Sequence, residues 1–462
     1  MSADYYKQLL EPMYRGRKWI VVSDSAAGAT AFVQRILDAG ADSVMVVAGT
    51  TGTGPQPSGV ELFVVGTIGA TIMGGIRAFA DAIISPSEEM CAAITAFDPA
   101  QQASVLTSYL IPAADLCGRP VYGGARPAWK ALEDKIVIDE LWRRAGVPTA
   151  PSRIVGSQDV AAVRSAVAEL SIDGSAVVVA DNAEGWHGGA EYTRYLAPDR
   201  DWSEALAFFA EHAHRVRVMQ FLQGVPCSIH GLVAQQQVLA FRPVEMLVYR
   251  QPGSSRFVYA GMATLWDPPI HVRQEMRQIV RQVGSLIRDE VGYRGAFGID
   301  GVLTSDGFRP TELNPRLTGG LGLQTQTAGD YPIGDINRVI IAGEAVDLRL
   351  DDLEKEVVSG ADRTRTGRWS RPVSHVSMTE TTERSIVFDG NSWEPTDGDE
   401  ATATVMLGPS PQGALVAVKL SDDHGLPAGD PTAGIAAASF SLADELWDTR
   451  IGPLVVGTSG PV

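Results

Sequence analysis

Residues 295–320 read GAFGIDGVLTSDGFRPTELNPRLTGG. Two apolar runs flank Ser305-Asp306-Gly307, a turn sequence, so the stretch predicts a hairpin of 295–303 with 308–313. Each strand delivers one acid, Asp300 from the first and Glu312 from the second. Glu312, Asn314 and Arg316 alternate. Successive side chains of a strand point to opposite faces, so these three share one side. Two carboxylates, an amide oxygen and a guanidinium on one face suit magnesium, which takes hard oxygen ligands and leaves positions for water and phosphate. Arg316 beside them can hold a carboxylate or a developing phosphoryl charge with its planar fork. The competing interpretation is a solvated hairpin face. It is weakened by the apolar neighbours Ala296, Phe297, Ile299, Val302, Leu303 and Leu313, which put the acids on a buried sheet. Thr318-Gly319-Gly320 follows, a small-residue turn whose backbone N–H groups can form an anion nest.

The rest of the chain sets the frame. Its 462 residues exceed one compact domain and suggest about three. With 55 acids against 38 bases the net charge is −17. That field argues against a nucleic-acid backbone as partner, which demands a basic surface. The surplus is uneven, because residues 351–462 carry 18 acids and 8 bases. Cys91, Cys117 and Cys227 are scattered and odd in number, so reduced structural thiols in a cytoplasmic protein are expected. The N-terminus lacks the pattern of a signal peptide, and no apolar run is long enough for a membrane span.

Alternating strand and helix periods predict an α/β (α+β) chain. Lys18–Val22 and Ser43–Val47 read as strands, separated by a Ser/Gly turn over 23–30 and a helix over 30–37. Residues 61–65 read as a third strand and 86–113 as largely helical. Ala128–Ala145 reads as one helix, stopped by Gly146 and Pro148. Strands are expected at 153–155 and 175–180, helix at 158–170, and a glycine-rich loop with a strand at 185–195. Residues 215–222 and 228–241 are expected to pair, and 271–291 to form a long helix. Beyond 360 short alternating runs, such as 384–388 and 414–419, predict a small, mainly β unit.

The hairpin resembles that of the ATP-grasp superfamily, in which an acid and then Glu-x-Asn-x-Arg hold magnesium on the nucleotide phosphates. The resemblance covers about residues 122–330. It implies a pre-ATP-grasp α/β domain over 1–121, a two-subdomain ATP-grasp fold over 122–345 with a mobile part at about 150–220, and the β-rich domain over 360–462. Asp300, Glu312 and Asn314 would bind Mg2+, while Arg316, Gly319 and Gly320 would serve the reacting acyl group. Lys135, in Leu132-Glu133-Asp134-Lys135 ahead of Gly146-Val147-Pro148, would neutralise the α-phosphate of ATP. Gly185, His187, Gly188 and Gly189 would close over the β- and γ-phosphates. Gln220 and Leu222, in VMQFLQG, would present backbone to the adenine. This sequence departs from the pattern at Ala180-Asp181, where a second lysine is usual, and His187 or Arg194 are the candidates to replace it. It departs again at Met219 and Pro226, where acids are usual.

The resemblance implies a carboxylate–amine ligase working through an acylphosphate, with a carboxylate amino acid and an amine or peptide acceptor as partners beside ATP. The layout is most like peptide ligases of the pheganomycin type, which join a guanidino amino acid to a peptide in antibiotic biosynthesis. A phosphotransferase and a non-catalytic nucleotide-binding regulator are the alternatives. Neither nucleic acid nor membrane is expected as a partner, and a homodimer is one state the sequence allows.

Overall fold

The computed structural model describes residues 2–458 except Thr53, Ile68, Ala70, Trp186, Asp399, Pro411 and the Ile72 side chain. The chain opens with a parallel sheet in the order Glu61–Val64, Ser43–Thr50, Lys18–Ser25, Ser104–Leu106. Its β-branched runs are buried on both faces, as a parallel sheet covered by helices requires. The turn expected over 23–30 is absent. The strand reaches Ser25, whose Oγ accepts from the Gly28 N–H at 3.2 Å and starts helix Ala26–Asp38 directly. Helix Ile72–Ile84 is an addition to the predicted elements. The span 86–113 is helical only over Glu88–Phe97. Asp98 ends that helix because its carboxylate accepts from Gln102 and Ala103 N–H and pairs with buried Arg119 at 3.2 Å.

The single helix expected over 128–145 is also broken. A 3-10 turn covers Pro127–Glu133, and the α-helix is Ile138–Arg144. Between them the Asp134 carboxylate accepts from Ile136 N–H at 2.9 Å, a local bond that competes with helix. Lys135 therefore sits in a turn between them and points inward, where it is buried.

A second, antiparallel sheet has the order Ser152–Gly156, Arg215–Gln220, Ala176–Ala180, Thr193–Leu196. The pairing expected between 215–222 and 228–241 does not occur. Arg215–Gln220 belongs to this sheet, whereas Val225–Val233 lies in the next one and pairs with Val238–Ala240 and Gly295–Thr304. Gly224 separates them at φ +152°, where a Cβ would meet the Leu303 carbonyl oxygen at 2.1 Å, so only glycine fits the crossing.

The third sheet holds twelve strands among the described residues. From one edge ten of them run Gly307–Asn314, Gly295–Thr304, Val225–Val233, Val244–Arg250, Phe257–Ala263, Gly367–Val373, Gly413–Leu420, Ala403–Ser410, Thr382–Phe388, Trp393–Pro395, and off this path Val238–Ala240 pairs with Val225–Val233 and Val455–Val456 with Val244–Arg250. Helix Ile270–Val291 covers it with Met276, Val280, Val283 and Ile287. Residues 360–462 thus extend the central sheet through the pairing of Gly261 with Trp369. They also contribute helix Ala433–Trp447. Buried Glu245 on the central sheet caps that helix, accepting from Thr432 N–H at 2.6 Å and Ala433 N–H at 3.0 Å. Burial still pushes its carboxyl up to about 7. Trp369 Nε1–H donates to Ser439 Oγ at 2.9 Å, fixing the helix to the added strands.

The expectation of three reduced thiols is corrected. Cys91 and Cys117 form a disulfide, their Cα atoms 5.4 Å apart, and Cys227 is free and buried. Helix Glu88–Phe97 packs near the turn before Arg119, a proximity that sequence spacing does not reveal. Titration of the unfolded chain is expected to find one thiol, and three after reduction. Reduction should cost about 3 kcal/mol of stability for a loop of this length. Three thiols without reductant would remove the bond.

Candidate active site at the junction of two sheets

The acidic hairpin forms as its alternation requires. Asp300 pairs directly with Glu312, and the register slips after Asp300, a bulge that re-aims the acids. Asn314 Nδ2 donates to Asp300 Oδ2 at 2.9 Å. Burial, then repulsion from Glu312, pushes the Asp300 carboxyl up to about 6, with Arg316 and Lys135 opposing. Lys135 Nζ lies 3.0 Å from Glu312 Oε2, so the inward turn of its link delivers a buried cation to the acids. Arg316 Nη1 donates to Glu133 at 2.5 Å.

Of these six groups all but Glu133 line a cavity of about 610 Å³ between the second and third sheets. Gly188, Gly189 and Gly319 line it too. Gln220, Leu222, Val177, Val179 and Met219 also line it. The segment 220–222, where the chain leaves the second sheet for the third, therefore borders the cavity among apolar side chains, an arrangement suited to a flat aromatic base.

Three predicted residues stand off the cavity wall. Gly185 is exposed at φ +92°, in a turn closed by its N–H on Asn182. His187 is buried behind the loop, stacked on Tyr192 at 4.6 Å, with Nε2 3.3 Å from the Asp181 carbonyl oxygen. Burial and nearby Lys135 hold it down to about 4, so it is neutral and cannot supply the missing positive charge. Gly320 is buried one residue behind Gly319, where a Cβ would strike the His230 ring at 2.4 Å. Arg194 is corrected as well. Its guanidinium stacks on Phe208 at 3.7 Å on the opposite face of the sheet from Val177 and Val179.

The sequence reading missed Arg217. It lies opposite Val179 in register, on the cavity wall and fully buried. Its Nε donates to Asp139 Oδ2 at 2.9 Å and its Nη1 to the Thr311 carbonyl at 3.1 Å. A lone arginine inside the apolar strand VRVMQF was the available signal, since a charge on such a strand needs a partner or a task.

Magnesium can be tested against these groups. Among the described residues no set of three His, Cys, Asp or Glu side chains is spaced for a metal. A cation here would rest on the carboxylates of Asp300 and Glu312 and the Asn314 amide oxygen. The remaining positions would fall to water and phosphate, the magnesium habit. Two adjacent acids, one half-buried and pushed up by that burial and then by the other, are a site that gains from a cation.

A split antiparallel grip with a cavity between its sheets and an acid–Glu-x-Asn-x-Arg hairpin at the mouth defines the ATP-grasp class, and this chain has that fold. Residues 191–320 match the ATP-grasp domain family. The fold is similar to the ADP complex of PurK, N5-carboxyaminoimidazole ribonucleotide synthetase (14% identity, TM-score 0.53, 93% of this chain and 98% of that one). It is also similar to the biotin carboxylase domain dimer of Hydrogenobacter thermophilus 2-oxoglutarate carboxylase with MgADP, ADP and bicarbonate (14%, 0.54, 88% and 87%). Rhizobium etli pyruvate carboxylase matches 92% of this chain with 37% of its own (15%, 0.55). No curated protein sequence matches significantly. No helix among the described residues is long and apolar enough to cross a membrane.

Proposed function

We propose that the chain is an ATP-dependent carboxylate–amine ligase. The observation that carries this is that Asp300, Glu312, Asn314, Arg316 and Lys135 line one cavity together with the Gln220–Leu222 segment and its apolar surroundings. Magnesium held by Asp300, Glu312 and Asn314 would spread the charge of the transferred phosphoryl group. Lys135 and Arg217 supply the fixed positive charges, Arg217 taking the place of the absent second lysine. The substrate carboxylate oxygen attacks the γ-phosphorus and ADP leaves, giving an acylphosphate. The amine then attacks the acyl carbon, inorganic phosphate leaves, and the amine loses a proton. Arg316 and the Gly319 N–H, at the first turn of helix Gly319–Thr327, face the acyl oxygen in this arrangement. Gly188 and Gly189 close the cavity against water, which would hydrolyse the acylphosphate.

The finer reading keeps a guanidino amino acid joined to a peptide, in antibiotic biosynthesis. It rests on the layout of the sequence. Dependence on ATP and magnesium favours the cytoplasm.

The test is ADP release across amino acids and peptides, offered singly and in pairs. A ligase releases ADP only when an acid and an amine are both present. Release with one substrate and a stable phosphorylated product would establish the phosphotransferase instead.

A further inference from the structure

A second cavity of about 1110 Å³ adjoins the first and shares Gly189, Tyr259, Met262 and Gly319 with it. Its far wall comes from strand Gly367–Val373, in the part of the chain that the ATP-grasp resemblance does not reach. Arg256, Arg368 and Arg371 all border it. None of the three has a carboxylate partner among the described residues, in a chain with 55 acids for 38 bases. The acids on the same wall are already engaged. Glu191 is paired with Arg77 at 2.9 Å and Asp330 with Lys7 at 3.0 Å. Arg35, the fourth arginine there, is paired with Asp335 at 3.0 Å.

Exposed Arg256 and Arg368 alone would be ordinary surface charges. Arg371 is different, because it is half-buried, and burial lowers its pKa with no opposing charge. An arginine kept out of water without a partner costs stability. The start of helix Gly319–Thr327 has no side-chain cap and borders both cavities, through Gly319 in each and Gly322 in the second, while Thr318, whose Oγ1 is buried without a partner, lines the first. Three guanidiniums and an open helix N-terminus thus surround one space connected to the acidic hairpin.

Resting on the ligase reading, we propose that this cavity holds the amine acceptor, and that the acceptor carries an oxyanion group, carboxylate or phosphate, held by Arg371 with Arg368 and Arg256. The volume exceeds what one small amino acid fills and admits a peptide-sized molecule. In a peptide acceptor the amine is consumed and the C-terminal carboxylate remains, so the carboxylate is the group left to be held.

The test uses the full chain saturated with ADP and magnesium, so that the first cavity is filled. Triglycine, triglycinamide and O-phosphoethanolamine are titrated by calorimetry. Triglycine binding with no binding of its amide supports a carboxylate acceptor, and binding of O-phosphoethanolamine alone supports a phosphate one. In either case Arg371→Gln should weaken the probe about tenfold or more, and Arg371→Lys should recover part of it. ADP affinity should stay unchanged, and the Tm of Arg371→Gln should equal or exceed that of the parent. The proposal is overturned if neither anion binds at millimolar concentration, or if binding survives Arg371→Gln intact. Anion binding lost in Arg371→Gln, with no ADP release from any acid–amine pair, would keep the site and remove the ligase reading. ADP release indifferent to Arg371→Gln would do the reverse.

Discussion

Replacing Glu312 by glutamine is expected to lower ADP formation about 10³-fold or more, roughly 4 kcal/mol of barrier, while the chain still folds. The substitution keeps the shape of the side chain and removes one of the two charges that would hold magnesium. It also frees Lys135, whose amino group is 3.0 Å from that carboxylate. The fold should tolerate the change, because Glu312 is one of the causes raising the Asp300 carboxyl, and that repulsion disappears with it. Thermal unfolding should therefore move by only a few degrees, while the effect of magnesium on nucleotide affinity largely vanishes. A variant turning over at the parent rate would remove the metal face from the reaction and leave the cavity as a binding pocket.

Gly261→Val is expected to produce the largest loss of stability, about 4 kcal/mol or more. Gly261 has φ +145°, a backbone region that side chains avoid, and a Cβ there would lie 2.1 Å from the Arg368 carbonyl oxygen and 2.7 Å from Trp369 Cα. Both neighbours are main-chain atoms of strand Gly367–Val373, so no rotamer change relieves the clash. The strand must separate from Phe257–Ala263, and it carries Arg368 and Arg371 with it. Urea unfolding should show a lower midpoint, and limited proteolysis should cut between the central strands and the C-terminal ones. An unchanged midpoint would mean that this pairing is not what joins residues 360–462 to the central sheet.

The hairpin was legible because its information is local. Alternation fixes the face, and the turn at 305–307 fixes the pairing of Asp300 with Glu312. The long helix was legible for the same reason, observed as Ile270–Val291 against an expected 271–291. What stayed hidden depends on partners far away in sequence. Lys135 looks like a helix lysine until the Asp134–Ile136 bond breaks the helix and Glu312 takes the amine. Arg217 reads as one more strand residue until Asp139 and Thr311 enclose it. The disulfide needs two segments 26 residues apart to pack together. The C-terminal strands do alternate as expected, but alternation cannot say which sheet they will join. That choice rests on Gly261, opposite Trp369, where the missing side chain lets two backbones approach, while Gly367, opposite Ala263, leaves room for the Trp369 ring.

Among the described residues the ten-strand path of this sheet ends at two borders, and both are blocked to growth. Helix Ile138–Arg144 and the turn Pro127–Glu133 pack against strand Gly307–Asn314 at one. The other is Trp393–Pro395, three residues long and ended by a proline that has no N–H to offer. Around it stand Glu383, Asp389, Glu394, Asp397 and Glu400, all exposed. A second copy approaching edge to edge would bring the same five negative charges against these. The acidic surplus of the last quarter thus has a colloidal use: it keeps a long hydrogen-bonded ladder from recruiting its next strand out of solution.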